Sequence, residues 1–252
     1  MSKRGRFLKK AAIAVFWLAV WQLLSALVRN KVLIVGPYET LLALIAMLPT
    51  AAFWRAVLNS LVRITAGFCI GGLLGAGLAF CAYASPLLRE VLSPFVAAVK
   101  AVPVASFVIL ALIWAGSAML SLFVTTVVVL PILYINTLEG LLATDRKLLE
   151  LAEVYRMPFP ARLRGIYIPQ LRPHIVGAAQ LACGMAWKSG VAAEVIGQPL
   201  GSLGNELYRA KIYLETDRIL AVTAATVFLS WLLERALGLA LRGGKRRGED
   251  RK

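Results

Sequence analysis

Apolar runs about as long as a bilayer is thick recur along this chain, and they restrict its fold more than any other feature. A hydrocarbon core of ~30 Å needs roughly 20 helical residues to cross it. Runs of that order fall at 11–28, 58–83, 92–114, 119–137, 173–196 and 218–241. Backbone polar groups cannot go unpaired in lipid, so each run must be a helix. No segment alternates with period two at the spacing of a membrane barrel. The expected fold class is therefore all-α and polytopic. It has six transmembrane helices in one domain over 11–241, between a basic N-terminus (1–10) and a basic tail (242–252) expected to be disordered.

Sixty per cent of the 252 residues are hydrophobic and the net charge is +15. In a soluble chain that charge would point to nucleic acid. Here the cations gather at the ends of apolar runs, which makes them topology signals and leaves no nucleic-acid reading. The first run follows Lys3, Arg4, Arg6, Lys9 and Lys10. It is long for a signal peptide and no clear small-x-small site follows, so it reads as a retained span with a cytoplasmic N-terminus. Six spans then put residues 139–172 and the C-terminus inside as well. Eighteen of the 28 lysines and arginines fall on that inner side and six on the outer, in keeping with this orientation in a plasma membrane.

Several local features shape the spans. Gly67, Gly71 and Gly75 share one helical face, a pattern that lets a second helix approach closely. Pro37 and Glu39 open a segment too short to span, expected as a surface helix. Pro94 suits the first turn of the third span, Pro103 should kink its middle, and Gly116-Ser117 should form a tight turn. Cys69, Cys81 and Cys183 lie inside apolar runs and read as small core residues, with no disulfide or metal spacing. His174, the one histidine, reads as a solvated or headgroup-level side chain at a membrane edge.

Residues 150–169, ELAEVYRMPFPARLRGIYIP, break the apolar pattern with Glu150, Glu153, Arg156, Arg162 and Arg164, punctuated by Pro158, Pro160 and Pro169. They read as two short helices around a turn at a membrane face, suited to docking a soluble partner; the bland reading is a loop binding headgroups through its arginines. This stretch resembles the cytoplasmic signature of membrane subunits of bacterial ATP-binding-cassette importers: Glu-Ala-Ala, three residues, Gly, nine residues, Ile-x-Leu-Pro. Glu150, Ala152, Ile166 and Pro169 match, Leu151 and Ile168 are substitutions, and Arg156 stands in the glycine position. Further strings are similar to the nitrate/sulfonate/taurine branch of that family. They are Asn59-Ser60-Leu61 with Arg63, Gly67-Phe68, Val102-Pro103, Ile113-Trp114-Ala115-Gly116, Asn136-Thr137 with Gly140, Gly184 with Ala186-Trp187, Ala193-Glu194, and Leu203-Gly204.

The resemblance implies a permease subunit of a binding-protein-dependent importer, carrying a nutrient such as a sulfonate, nitrate or taurine. It implies that Glu150, Leu151, Ala152, Glu153, Tyr155, Arg156, Ile166, Ile168 and Pro169 dock an ATPase subunit present in two copies. ATP and Mg would sit on that subunit, with no cofactor or metal on this chain. A second permease copy or paralogue and an extracytoplasmic solute-binding protein, touching 197–217, complete the implied partners alongside the bilayer. Because arginine resists a left-handed turn, the turn of the insertion is expected to move to Met157-Pro158-Phe159-Pro160.

Ionisable groups within apolar runs are costly and mark candidate sites. Lys188 and Glu194, with Lys100 and Pro103, are the candidates for a translocation path, Lys188 favouring an anion; an ion pair or interhelical contact is the plain alternative for Lys188, and Lys100 could snorkel. No glycine loop followed by Lys and Ser/Thr is present to cradle a nucleotide, so the chain reads as a transport subunit and not an enzyme. An intramembrane enzyme would need clustered His, Glu, Asp or Ser-Lys groups. A channel or scaffold without ATP coupling is the remaining alternative.

Overall fold

The computed structural model describes residues 3–243; the tail beyond, expected to be disordered, lies outside the described residues. Ten α-helices follow in order: α1 (Lys3–Val28), α2 (Pro37–Met47), α3 (Ala51–Ala84), α4 (Pro86–Ala101), α5 (Val104–Leu142), α6 (Arg146–Val154), α7 (Phe159–Arg162), α8 (Ile168–Gly197), α9 (Leu203–Ile212) and α10 (Thr216–Gly243). A π-helical turn, Leu163–Tyr167, joins α7 to α8.

Helix boundaries follow local chemistry. The Thr50 hydroxyl accepts the Phe53 amide at the start of α3, and Ser85 ends α3 while capping α4 through the Leu88 amide. Pro37 and Pro86 occupy first-turn positions, where the missing N–H costs nothing.

The third expected span needs correction. Proline 103 does not kink a continuous helix; it separates two. Val102, forced out of helical geometry by the proline that follows, is extended (φ −71°, ψ 129°), and Pro103 leads into α5. Pro94 lies inside α4, since that helix already starts at Pro86. Gly116 (φ 69°, ψ 175°) breaks α5 where the turn is expected: its backbone is not helical, and a helical segment lies on either side of it.

The core is built on α3 and α5. Helix α3 is 34 residues long, and its glycine face lies directly on the α5 backbone. A Cβ at Gly67 would stand 2.5 Å from the Leu122 carbonyl oxygen, and one at Gly71 2.6 Å from that of Thr126; Gly75 lies equally tight against Leu130. The Thr126 hydroxyl, bonded at 2.9 Å to the Leu122 carbonyl of its own helix, also reaches the Gly67 carbonyl at 3.2 Å. Helix α8 packs on α5, with Gly190 against Thr125 and Ile64. The Trp187 indole N–H donates to the Thr226 carbonyl at 2.9 Å and fastens α8 to α10. Helix α1 stands apart, tied to the segment before α2 by the Trp21 indole N–H to Val35 O (2.9 Å) and Ser25 Oγ to Ile34 O (3.2 Å).

The core is apolar, yet several polar side chains share it while large apolar ones lie on the open surface. Ser60, Ser121, Thr125, Thr137 and Glu194 are fully buried, whereas Leu73, Ile113, Trp114 and Phe228 are exposed. That much open apolar surface would be untenable in water and is natural in lipid. Four helices are long and apolar enough to cross a membrane, at Phe7–Val28, Ala51–Ala84, Val104–Leu142 and Thr216–Leu241. Helix α8, 30 residues long, has the length but carries Arg172, Lys188 and Glu194.

Candidate functional site

The polar insertion begins where α5 ends. Asp145 accepts the Lys147 amide at 2.9 Å and so caps α6, while its own amide donates to Gln170 Oε1 at 2.9 Å. The base of α6 is thereby fixed to the first turn of α8. Of the motif residues, Ala152 is 2% exposed and Ile166 is buried in the π-helical turn, so these two anchor the hairpin. Glu150, Leu151, Glu153, Tyr155, Arg156, Ile168 and Pro169 are exposed. Val154 at 79% and Tyr155 at 74% exposure, with Leu148, Leu151 and Phe159, make an open apolar ridge between acidic side chains.

The turn of this hairpin corrects the expectation drawn from the missing glycine. It has not moved into Met157–Pro160. Arg156 itself is left-handed, at φ 48°. Two hydrogen bonds hold it there: Arg156 N–H to Glu153 O at 2.9 Å and Met157 N–H to Ala152 O at 2.8 Å. This is the paired closure by which a helix satisfies its last carbonyls, and it outweighs the side chain's reluctance. Pro158 then bars any continuation. At the other end of the insertion, the Tyr167 and Tyr83 hydroxyls are 3.4 Å apart and their rings meet edge to face, joining the π-helical turn to α3.

The candidate path residues divide into two groups. Lys100, in the last turn of α4, is exposed and lines a cavity of about 480 Å³ with Arg89, Glu90, Tyr134 and Glu139. It also reaches a smaller one of about 190 Å³ with Val102, Phe107, Pro131 and Met185. Lys188 is exposed one turn beyond Met185, on the face of α8 marked by Leu181, Met185 and Ala192. Neither lysine has an ion-pair partner among the described residues. Pro103 stands at the break beside the smaller cavity.

Glu194 belongs elsewhere. It is 0% exposed and turned into the packed junction of α3, α8 and α9. The Ser60 hydroxyl donates to its Oε2 at 2.6 Å and the Gly204 amide at 3.3 Å, with Arg63 and Ser121 facing the same carboxylate. Lys188 and Glu194 are thus on different faces of α8, about 120° apart around the helix. The strings Asn59-Ser60, Ala193-Glu194 and Leu203-Gly204, far apart in the chain, meet here. A further carboxylate, Glu234 within α10, accepts from Ser230 Oγ at 3.3 Å and lies against Gly184. Its charge within an apolar run was the signal for it.

Long apolar helices, large apolar side chains on the open surface and a capped polar hairpin define a multi-pass helical membrane protein. The chain belongs to the family of binding-protein-dependent transport system inner membrane components, whose model matches residues 70–239. It is an ABC transporter permease. The SsuC protein of Bacillus subtilis, named as an aliphatic sulfonates transport permease protein, is 25% identical over 222 residues, covering 87% of this chain and 80% of that one. The taurine transport system permease protein TauC of Escherichia coli is 27% identical over 199 residues, 78% of this chain and 70% of its own. A bicarbonate transport system permease protein, CmpB of Synechococcus elongatus, is 28% identical over 176 residues, 68% and 62% of the two chains. The fold is also that of a chain in the inward-facing MetNI methionine ABC transporter, with TM-score 0.65, 17% identity and coverage of 76% and 95%. A bacterial ABC transporter that imports the acidic polysaccharide alginate gives TM-score 0.60 at 15% identity, covering 97% and 96%.

Proposed function

We propose that this permease forms the path for a small oxyanion in an ATP-driven importer, and that the hairpin around α6 takes the power stroke from a separate ATPase. The observation that carries the reading is the open ridge of α6. Leu151, Val154 and Tyr155 project from a short capped helix that buries little besides Ala152. An apolar ridge bounded by carboxylates and held on a rigid base is suited to a protein groove. ATP and Mg are then bound by two copies of the partner, and the permease works with a second copy or a paralogue. A solute-binding protein delivers the anion at the α9 side.

In this reading α1, α3, α8 and α10 each cross the bilayer. Helix α4 with α5 up to Gly116 makes one broken crossing, and the remainder of α5 makes another. Both termini and the α6 hairpin face the cytoplasm of a bacterial inner membrane. Broken helices at membrane depth are tolerated where they line a cavity. The break at Val102-Pro103 does so, with Lys100 and Met185 in the lining, and Lys188 lies one turn beyond Met185 on α8. Unpaired lysines there favour an anion. Sulfonate, taurine and bicarbonate, the solutes named for the relatives, all present anionic oxygens.

Affinity purification in mild detergent tests the docking. The native chain should retain an ATP-hydrolysing subunit, and Glu150→Lys or Leu151→Asp should reduce its capture at least about tenfold, the loss expected for a buried interface anchor. Capture that is undiminished in both variants, or absent from the native chain, would remove the hairpin from this role.

A further inference from the structure

The start of α9 leaves no amide hydrogen without a partner. Leu203 N–H donates to Ser60 Oγ at 2.9 Å, Gly204 N–H to Glu194 Oε2 at 3.3 Å and Asn205 N–H to Ser202 Oγ at 3.1 Å; Glu206 N–H donates to Ser202 O at 3.1 Å. A helix normally caps itself from its own chain. Here the first two donors are satisfied by α3 and α8, and Ser60 hands its own proton on to Glu194 at 2.6 Å. Asn59 adds a bond from Nδ2 to Gly201 O at 2.9 Å. Gly204 lies so near α8 that any Cβ would collide with the Glu194 Cβ and the Val195 amide nitrogen.

We propose that Glu194 is a positioning residue: with Ser60 it clamps the N-terminus of α9 to α3 and α8, so that the three move as one body. A carboxylate at 0% exposure is an expensive filler for apolar packing. Its oxygen suits the start of a helix, where backbone N–H groups lack intrahelical acceptors. The clamp has a mechanical consequence that rests on the importer reading above. Helix α8 runs without a break from the π-helical turn of the hairpin to Gly197. Motion imposed at the hairpin can therefore be passed to α9 through the Glu194 contact, beside the packing of Gly204 on Val195.

The test uses the full chain in lipid nanodiscs with spin labels at two exposed positions, Arg55→Cys on α3 and Lys211→Cys on α9, in a background lacking the native cysteines. The expected result is one narrow interlabel distance in the otherwise native chain, broadened in Glu194→Ala and narrow again in Glu194→Gln, whose amide oxygen still accepts from Ser60 and Gly204. Hydrogen exchange at Leu203 and Gly204 should rise at least about tenfold in Glu194→Ala and return in Glu194→Gln. In the transporter assembled with its ATPase, MgATP should displace the Lys211 label together with one at Ile196 in the native chain, and independently of it in Glu194→Ala. A narrow distance with native exchange in Glu194→Ala overturns the proposal, as does Glu194→Gln behaving like Glu194→Ala. If Glu194→Ala does not fold, Ser60→Ala, which leaves the Glu194–Gly204 bond, is compared instead. The distance and exchange measurements need no ATPase, so failure to capture one would sink the importer reading and leave the clamp standing.

Discussion

Replacing Arg156 by glycine tests how the polar hairpin keeps its shape. At φ 48° the arginine occupies the left-handed region. There the Cβ of an L residue crowds the following carbonyl at a cost of ~1–2 kcal/mol. Glycine removes that cost, but its freer unfolded chain takes back ~0.4–1 kcal/mol. The net gain is about 0.7 kcal/mol, or a factor of about three in a local opening equilibrium. Two amides report it, those of Arg156 and Met157, bonded at 2.9 and 2.8 Å to Glu153 O and Ala152 O. Hydrogen exchange of the segment 152–157 in the full chain should slow about threefold in Arg156→Gly, with α9 unaffected. Arg156→Val, whose branched Cβ tolerates positive φ least, should accelerate the same amides by about tenfold. Exchange that is unchanged or faster in the glycine variant would refute the assignment of strain to this residue.

Gly71→Ala places a Cβ 2.6 Å from the Thr126 carbonyl oxygen and 3.1 Å from the Thr126 Cα, so α3 and α5 must part. Thermal melting in detergent should report a loss of ~1–3 kcal/mol. Gly77→Ala, which meets nothing within 4 Å, should be neutral or stabilising by up to ~1 kcal/mol. Lys188→Ala should lower anion uptake by vesicles at least about tenfold while the assembled complex keeps its composition on size exclusion. Trp187→Phe removes the donor to Thr226 O and should cost ~0.5–1.5 kcal/mol on the same melting assay, the net worth of one hydrogen bond between α8 and α10.

What the sequence makes legible here is what depends on nearest neighbours along the chain. Apolar length marks α1, α3, α5 and α10 because lipid accepts little else. The apolar run places the next helix at about 92, whereas α4 already opens at Pro86, with Ser85 as its cap. Rules of propensity go astray where hydrogen bonds compete with them. A mid-run proline is read as a kink, yet at Val102-Pro103 the extended pre-proline residue separates two helices. Arginine is read as unfit for a left-handed turn, yet two closing bonds keep Arg156 there.

The fate of Glu194 shows the same division for the candidate site. A charge inside an apolar run is visible from sequence, and the cost of burying it rightly marks it as more than filler. Its partner is not visible: Ser60 lies 134 residues away, and only the folded chain shows that its hydroxyl donates to the carboxylate. Lys188, six positions earlier on the same helix, carries an equal and opposite sequence signal but ends on the exposed face beside Met185. Six residues on a 3.6-residue helix turn a side chain by roughly 240°, enough to move it from a packed seam to an open face. One helix thus carries one charge into a packed junction and leaves the other exposed; under the clamp proposed for Glu194 and the importer proposed for the chain, the carboxylate holds α9 and the ammonium meets the anion.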